Sequence, residues 1–293
     1  MAHVAFIGLG RMGHGMAGRY LEAGFTVAVW NRNKSKADDL IARVARWAAS
    51  PADAADGADA VVTMVADDEA SRAVWLGTDG AAATAKAGTL AIECSIVSYP
   101  HALDLARELR GRGLVYIDSP VTGLPDAAAS GKLTLLVGAE AADLERARPY
   151  LVPLSTTIRH FGAVGCGTVY KLINNLMGAI QIAGLAEGLA IAEQAGLDMK
   201  LVLESIETGV AASPQVIRHA RRMVARNFAG ASFTATLRRK DAAYAVALAE
   251  SLLSAPPIMG RAAVESYDRA KAYAPNDDEG KMIEIVSRAK GTT

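Results

Sequence analysis

Val4-Ala5-Phe6-Ile7-Gly8-Leu9-Gly10-Arg11-Met12-Gly13-His14-Gly15-Met16 is the stretch on which the fold turns. A short apolar run reads as a strand and ends in a G-x-G-x-x-G pattern. The chain then continues over Met12–Ala23 with apolar residues at Met12, Met16, Tyr20 and Leu21, which is helical spacing. A bare G-x-G-x-x-G says little; placed between a strand and a helix it has a mechanism. Gly8 permits a tight turn, Gly10 lets a pyrophosphate approach the backbone, and Gly13 lets the helix pack on the strand. The unpaired N–H groups and dipole of the helix N-terminus attract the phosphates. Gly8, Leu9, Gly10, Arg11, Met12 and Gly13 are therefore the expected dinucleotide-binding loop.

Outward from this loop, strands and helices alternate. Further strands are expected at Thr26–Trp30, Ala60–Val65, Thr89–Ile92, Leu114–Ile117 and Leu133–Val137. Helices are expected at Ser35–Val44 and from about Pro100 to Arg110, with Asp67 and Asp68 as helix caps. Such alternation gives right-handed crossovers and a mostly parallel sheet covered on both faces. The pattern changes near Gly162. Beyond Gly162-Ala163-Val164-Gly165-Cys166-Gly167 the apolar spacing is helical, first over Val169–Ala195, which Gly196 should end. Further helices are expected at Lys200–Thr208, Ser213–Arg226, Thr236–Leu253 and Pro257–Ala272. The fold class expected is α/β: a Rossmann dinucleotide-binding domain over 1–163, a long interdomain helix, and an all-α domain over 164–293.

The chain has 293 residues, which suits two domains. Its 31 Lys and Arg balance 31 Asp and Glu, so no basic excess points to nucleic acid. Two cysteines, Cys94 and Cys166, fit a reducing cytoplasm. The N-terminus lacks the charged-then-apolar pattern of a signal peptide. Asn174, Asn175, Gln181, Glu187 and Glu193 interrupt the most apolar helix, which argues against a membrane span. The five histidines show no metal spacing, so no metal is expected. The basic run Arg218–Arg226 reads as a solvated face or a subunit contact.

Two segments carry chemistry beyond the glycine loop. The second strand ends in Asn31-Arg32, where NAD-binding folds usually place an acid for the ribose hydroxyls. An acid would repel a 2′-phosphate; Arg32 can pair with one through its planar fork. NADP(H) is therefore favoured over NAD(H), with Asn31 and Arg32 at the ribose. The other segment is Gly165-Cys166-Gly167-Thr168-Val169-Tyr170-Lys171-Leu172-Ile173-Asn174-Asn175. Spacing of three and four brings Lys171, Asn174 and Asn175 to one side of the helix. Paired asparagines in an apolar helix need a reason, either packing or catalysis.

Taken in order, Gly8–Gly13 with Met16-Ala17, Asp118-Ser119-Pro120-Val121-Thr122-Gly123, Gly131-Lys132-Leu133-Thr134, Gly165–Asn175 and Lys240-Asp241 resemble the β-hydroxyacid dehydrogenase family. That family includes 3-hydroxyisobutyrate dehydrogenase and tartronate semialdehyde reductase. The resemblance spans about the whole chain. It implies hydride transfer between NADP(H) and a small β-hydroxyacid or its semialdehyde or ketone. It implies Lys171 as general acid and base, supported by Asn175. Thr122 and Gly123 would hold the substrate carboxylate, and Ser95 and Lys240 would lie near both substrate and nicotinamide. A homodimer or homotetramer is implied, with no nucleic-acid or membrane partner. A lysine suits the chemistry: as ammonium it donates to a carbonyl oxygen, as amine it accepts from a hydroxyl.

Two departures stand out. The family often reads Ser-Gly-Gly where this chain has Thr122-Gly123-Leu124-Pro125, and Asp-x-Ser-Thr where it has Glu93-Cys94-Ser95-Ile96. Leu124 and Ile96 make the expected pocket more apolar, which predicts a substrate other than plain 3-hydroxyisobutyrate. Two alternatives remain: an imine reductase of the same architecture, which Lys171 opposes, and an NADP(H)-binding sensor without catalysis.

Overall fold

Val4, Ala5, Phe6 and Ile7 are all wholly buried. Val4 and Phe6 enter one core while Ala5 and Ile7 enter another. A continuous apolar run with side chains alternating between two cores is what a strand covered on both faces requires. The computed structural model describes residues 1–231 and 233–287; position 232 and the last six residues of the expected helical domain lie outside them.

The strands are β1 (His3–Ile7), β2 (Thr26–Trp30), β3 (Arg46–Trp47), β4 (Ala60–Thr63), β5 (Leu90–Glu93), β6 (Val115–Asp118), β7 (Val121–Thr122), β8 (Leu133–Gly138) and β9 (Ser155–Gly162). Their order is β3-β2-β1-β4-β5-β6-β8-β7, with β9 paired to β8. β3 through β6 run parallel. β8 is antiparallel to β6 and β7, while β9 is parallel to β8. Strand order reverses between β1 and β4, which opens a crevice at the carboxyl ends of those strands.

Contacts divide the chain into two compact units, Met1–Lys171 and Leu172 onward. The division falls inside one continuous helix, Cys166–Gln194. Its first turn belongs to the first unit because Asp118, at the end of β6, holds it (below).

In the second unit the long helix is surrounded by Met199–Thr208, Pro214–Val224, Ala235–Leu252 and Ile258–Tyr273. Ala179, Ile182, Ala186 and Leu189 recur at helical spacing and are buried with Met223, Ala242, Ala263 and Tyr267. Alanines at these positions let the helix axes approach closely. The helix ends at Gly196, φ +71°, whose N–H bonds Glu193 O while Leu197 N–H bonds Ala192 O at 3.0 Å. By length and composition this helix could cross a membrane, but half of its most apolar window is buried inside the protein.

One local expectation changes. Ser35–Val44 is not one helix: a 3₁₀ turn at Lys34–Ala37 leads into Asp38–Ala42, and Val44 turns at φ +67°. The basic run is largely ion-paired. Arg221 meets Glu207 at 2.6 Å, Arg222 meets Asp278 at 3.2 Å, and Arg226 meets Glu193 at 2.7 Å.

Candidate active site

The glycine loop is built as its sequence requires. Gly8 has φ +100°, and a Cβ there would stand 2.3 Å from Met64 O. A Cβ on Gly13 would lie 1.9 Å from Gly8 O, so the helix starts pressed onto the turn. Gly10 differs: a Cβ there would meet nothing within 4 Å. Packing inside the chain does not demand glycine at this position, whereas a pyrophosphate against the backbone does. The loop thus fits a dinucleotide. Leu9 is buried, Met12 half-buried and Arg11 exposed.

Asn31 braces this loop from β2. Its Oδ1 accepts Leu9 N–H at 3.0 Å and its Nδ2 donates to Asn33 O at 3.0 Å. Sequence reasoning gave Asn31 to the ribose; its Oδ1 is taken up by the glycine loop and its Nδ2 by the turn after β2. Arg32 is exposed, and its guanidinium makes no ion pair among the described residues.

Across the crevice, Ser95 follows β5 and is 1% exposed. Its Oγ accepts Val65 N–H at 2.8 Å, tying the turn after β5 to the turn after β4. Thr122 pairs with Thr134 in the β7–β8 ladder, and both Thr122 and Gly123 are exposed. Leu124 is extended and caps the short helix Pro125–Ala129, where proline suits the first position. Leu124–Pro125 therefore starts a helix at no backbone cost.

Asp118 aims the long helix. Its Oδ2 accepts Gly165 N–H at 3.1 Å and Thr168 N–H at 2.9 Å, and its Oδ1 accepts Thr168 Oγ–H at 2.6 Å. Burial pushes this carboxyl up to about 6, against those three bonds, which favour the charged form. The helix N-terminus receives the carboxylate as helix termini do. Lys171 follows Thr168 within one turn and is only 8% exposed.

In the second unit Asn175 is 4% exposed, and its Nδ2 donates to Asp241 Oδ2 at 2.7 Å. Asn174 Nδ2 donates in turn to Asn175 Oδ1 at 3.1 Å. Lys240 Nζ lies 3.1 Å from Asp241 Oδ1 and 5.1 Å from the Tyr244 ring centroid. One fully buried carboxylate thus holds both Asn175 and Lys240. Arg238 Nη1 donates to Asn175 O at 3.3 Å, while its Nε and Nη2 donate to the buried Glu279 carboxylate at 2.7 and 2.8 Å. Lys171 and Asn175 lie one helical turn apart.

Sequence reasoning missed the roles of Asp118, Asp241, Arg238 and Glu279. The only available signal was an acid or base inside an apolar helix or strand, since buried charges are rare unless paired. No group of three His, Cys, Asp or Glu side chains gathers as a metal site among the described residues.

Comparison with known proteins identifies the family. Residues 3–163 match the NAD binding domain of 6-phosphogluconate dehydrogenase. Residues 165–286 match the NAD-binding region of NADP-dependent 3-hydroxyisobutyrate dehydrogenase. The NAD-dependent L-serine dehydrogenase of Pseudomonas aeruginosa is 35% identical over 276 residues, 91% of each chain. Glyoxylate/succinic semialdehyde reductase 2 of Arabidopsis thaliana is 30% identical over 98% of this chain and 80% of its own. The solved 3-hydroxyisobutyrate dehydrogenase of Mycobacterium tuberculosis, with L-serine, superposes with a TM-score of 0.88 at 28% identity, covering 98% of this chain and 100% of that one. The chain therefore belongs to the 3-hydroxyisobutyrate dehydrogenase branch of the β-hydroxyacid dehydrogenases, NAD(P)-dependent oxidoreductases acting on CH–OH groups.

Proposed function

We propose that this enzyme interconverts a small β-hydroxyacid and its semialdehyde or ketone with NADP(H), and that reduction is its cellular direction. Residues 1–163 carry the dinucleotide; residues 164–293 complete the substrate site and make subunit contacts. When bound, the nicotinamide supplies or takes up the hydride. Lys171 gives a proton to the substrate oxygen in reduction and takes it back in oxidation. Asn175 orients the reacting group, Thr122 and Gly123 hold the carboxylate, and Ser95 and Lys240 border substrate and nicotinamide. The observation that carries this reading is a lysine buried one turn from an asparagine that Asp241 fixes at 2.7 Å.

A turnover screen tests it: both cofactors against serine, 3-hydroxyisobutyrate, glyoxylate, succinic semialdehyde and their redox partners. Leu124 and Ile96 favour a substrate other than plain 3-hydroxyisobutyrate, with a bulkier or differently polar tail. Best turnover on 3-hydroxyisobutyrate itself would defeat that point, and cofactor binding without turnover of any short acid would leave a sensor.

Arg32 supports the choice of NADP(H). Arg32→Ala is expected to lower kcat/KM for NADPH about tenfold or more, the size of one charge-assisted pair. The value for NADH should stay within about twofold. Equal losses with both cofactors would remove Arg32 from the 2′-phosphate.

The protein is further inferred to be a homodimer or homotetramer joined through its second unit. None of the ten residues of helix Met199–Thr208 is buried. A groove of about 810 Å³ beside it is lined by Leu185, Leu197, Leu201, Val202, Ile206 and Val210. Leu252, Leu253, Ile258 and Met259 project from one helix–helix turn of the same unit, 58 to 72% exposed. Monomers rarely expose large apolar patches, and a second copy would cover these. Light scattering should report an oligomer, and Leu201→Glu with Val210→Glu should lower the mass to one chain; a monomeric parent protein would refute the inference.

A further inference from the structure

We infer that Glu93, the buried carboxylate at the end of β5, is a positioning residue that sets the rim of the dinucleotide crevice by holding the Ser95 turn against the glycine loop. The inference rests on a dinucleotide lying across Gly8–Gly13. It does not require Lys171 to act as proposed.

Glu93 is wholly buried and accepts four hydrogen bonds. Thr63 Oγ donates to Oε1 at 2.7 Å and Ser95 N–H to the same oxygen at 2.9 Å. Ser71 Oγ donates to Oε2 at 2.6 Å and Trp75 Nε1 at 3.0 Å. Two of these donors, the backbone N–H and the indole N–H, cannot act as acceptors. An ionised carboxylate is acceptor-only and suits all four. An amide would turn a donor of its own toward them.

The donors come from different elements: the end of β4, the helix Asp68–Leu76, and the turn after β5. From that turn the path continues to the crevice. Ser95 Oγ accepts Val65 N–H at 2.8 Å. Val65 and Met64 in turn abut Gly8, where a Cβ would meet Met64 O at 2.3 Å and Val65 Cγ1 at 3.0 Å. Glu93, Ser95, Val65 and Gly8 thus form one chain of contacts from the core to the dinucleotide turn. Asp68 adds a second strap, accepting Ser98 N–H at 2.8 Å and Ser98 Oγ–H at 2.6 Å. The Ser95 bond extends this network from β4 and the helix to the turn after β5.

The extra methylene of glutamate also answers a sequence departure. Where the family tends to have aspartate, this chain reaches across to Ser71 and Trp75. Ser71 gives its proton to Glu93, so its Oγ is left to accept from His101 Nε2, 3.0 Å away.

The test is a binding titration of NADPH and of NADH into the full-length protein, the Glu93→Gln and Ser95→Ala variants, and the double variant. Each single change should raise Kd for the preferred cofactor about tenfold. The double should be no worse than the weaker-binding single, because both cut the same chain of contacts. Cofactor KM should rise more than kcat falls. A lower Tm in Glu93→Gln with unchanged Kd, or losses that multiply in the double variant, would overturn the inference. Should Glu93→Gln fail to fold, Thr63→Val removes one donor at nearly constant shape. A Kd raised about threefold in Thr63→Val would support the inference, and an unchanged one would end it. Loss of turnover by Lys171 variants leaves this titration unaffected, so failure of either reading is visible separately.

Discussion

Lys171→Ala is expected to lower kcat by about 10²- to 10⁴-fold, the range general acid–base catalysis contributes. Cofactor Kd should stay within about twofold, because binding at the glycine loop does not need this side chain. The reasoning is local. Asp118 fixes the first turn of the long helix through Gly165 and Thr168, so the Lys171 backbone is aimed before any ligand arrives. Hydride transfer changes the charge on the substrate oxygen, and a proton must arrive or leave with it. Lys171→Arg separates the two halves of that role. Arginine keeps a cation but does not deprotonate in proteins, so the oxidative direction should fail as badly as in Lys171→Ala. Reduction should recover in part if polarisation contributes. Pre-steady-state hydride transfer, followed at the nicotinamide absorbance, is the measurement that matters, since it excludes product release. A Lys171→Ala enzyme with near-normal transfer would remove the lysine from the chemistry. Asp241→Asn is the companion variant. It keeps the size of the group that holds Asn175 and Lys240 but loses the charge, and it should cost less than Lys171→Ala.

Much of the first unit was legible because buried parallel strands announce themselves as short apolar runs. β1, β2, β4, β5, β6 and β8 all sit within a residue or two of the expected positions. β9 was not legible. Ser155-Thr156-Thr157-Ile158-Arg159-His160-Phe161-Gly162 pairs with β8 and buries none of its eight residues fully, so it has no apolar run to see. The short helix Pro51–Ala55 was signalled, though weakly: Ser50 Oγ accepts Asp53 N–H at 3.0 Å, a capping pattern easily lost among alanines. Candidate site residues were nameable where local spacing brings them together, as in Gly8–Gly13 or Lys171 and Asn175. They were not nameable where a buried carboxylate meets its partners through the fold. Asn175 and Asp241 are 66 positions apart, and Arg238 and Glu279 are 41. No periodicity encodes such pairings; they exist only once helices have packed.

That last pair carries the largest stability effect we expect. Glu279→Gln should destabilise the folded protein by about 3–5 kcal/mol, the cost of leaving a buried ion without its partner. Arg238 is 5% exposed and Glu279 1%. Tyr267 Oη adds a third bond to the carboxylate at 2.9 Å, and His219 Nε2 stands 3.4 Å away. The Phe233 ring lies 4.5 Å from the guanidinium carbon. Burial alone would raise the Glu279 carboxyl, but the Arg238 charge and its paired bonds overcome that and hold it at about 2. Its folded pKa is below its ordinary value of 4.5, so its contribution is present above about pH 4.5 and fades as pH falls toward 2. Wild-type stability should therefore drop across that acid window, and the Glu279→Gln protein should lose this part of the dependence. Thermal melts should show a fall on the order of 10 °C at neutral pH. The double variant Arg238→Met/Glu279→Leu distinguishes an orphaned charge from a lost attraction. Replacing both ions by apolar groups should recover most of the loss, whereas a double variant as unstable as Glu279→Gln would show that the pair itself supplies the stability. Activity need not recover with it. Arg238 also donates to Asn175 O, so the refolded double variant should still turn over more slowly than the parent, because the turn that presents Asn175 has lost its clamp.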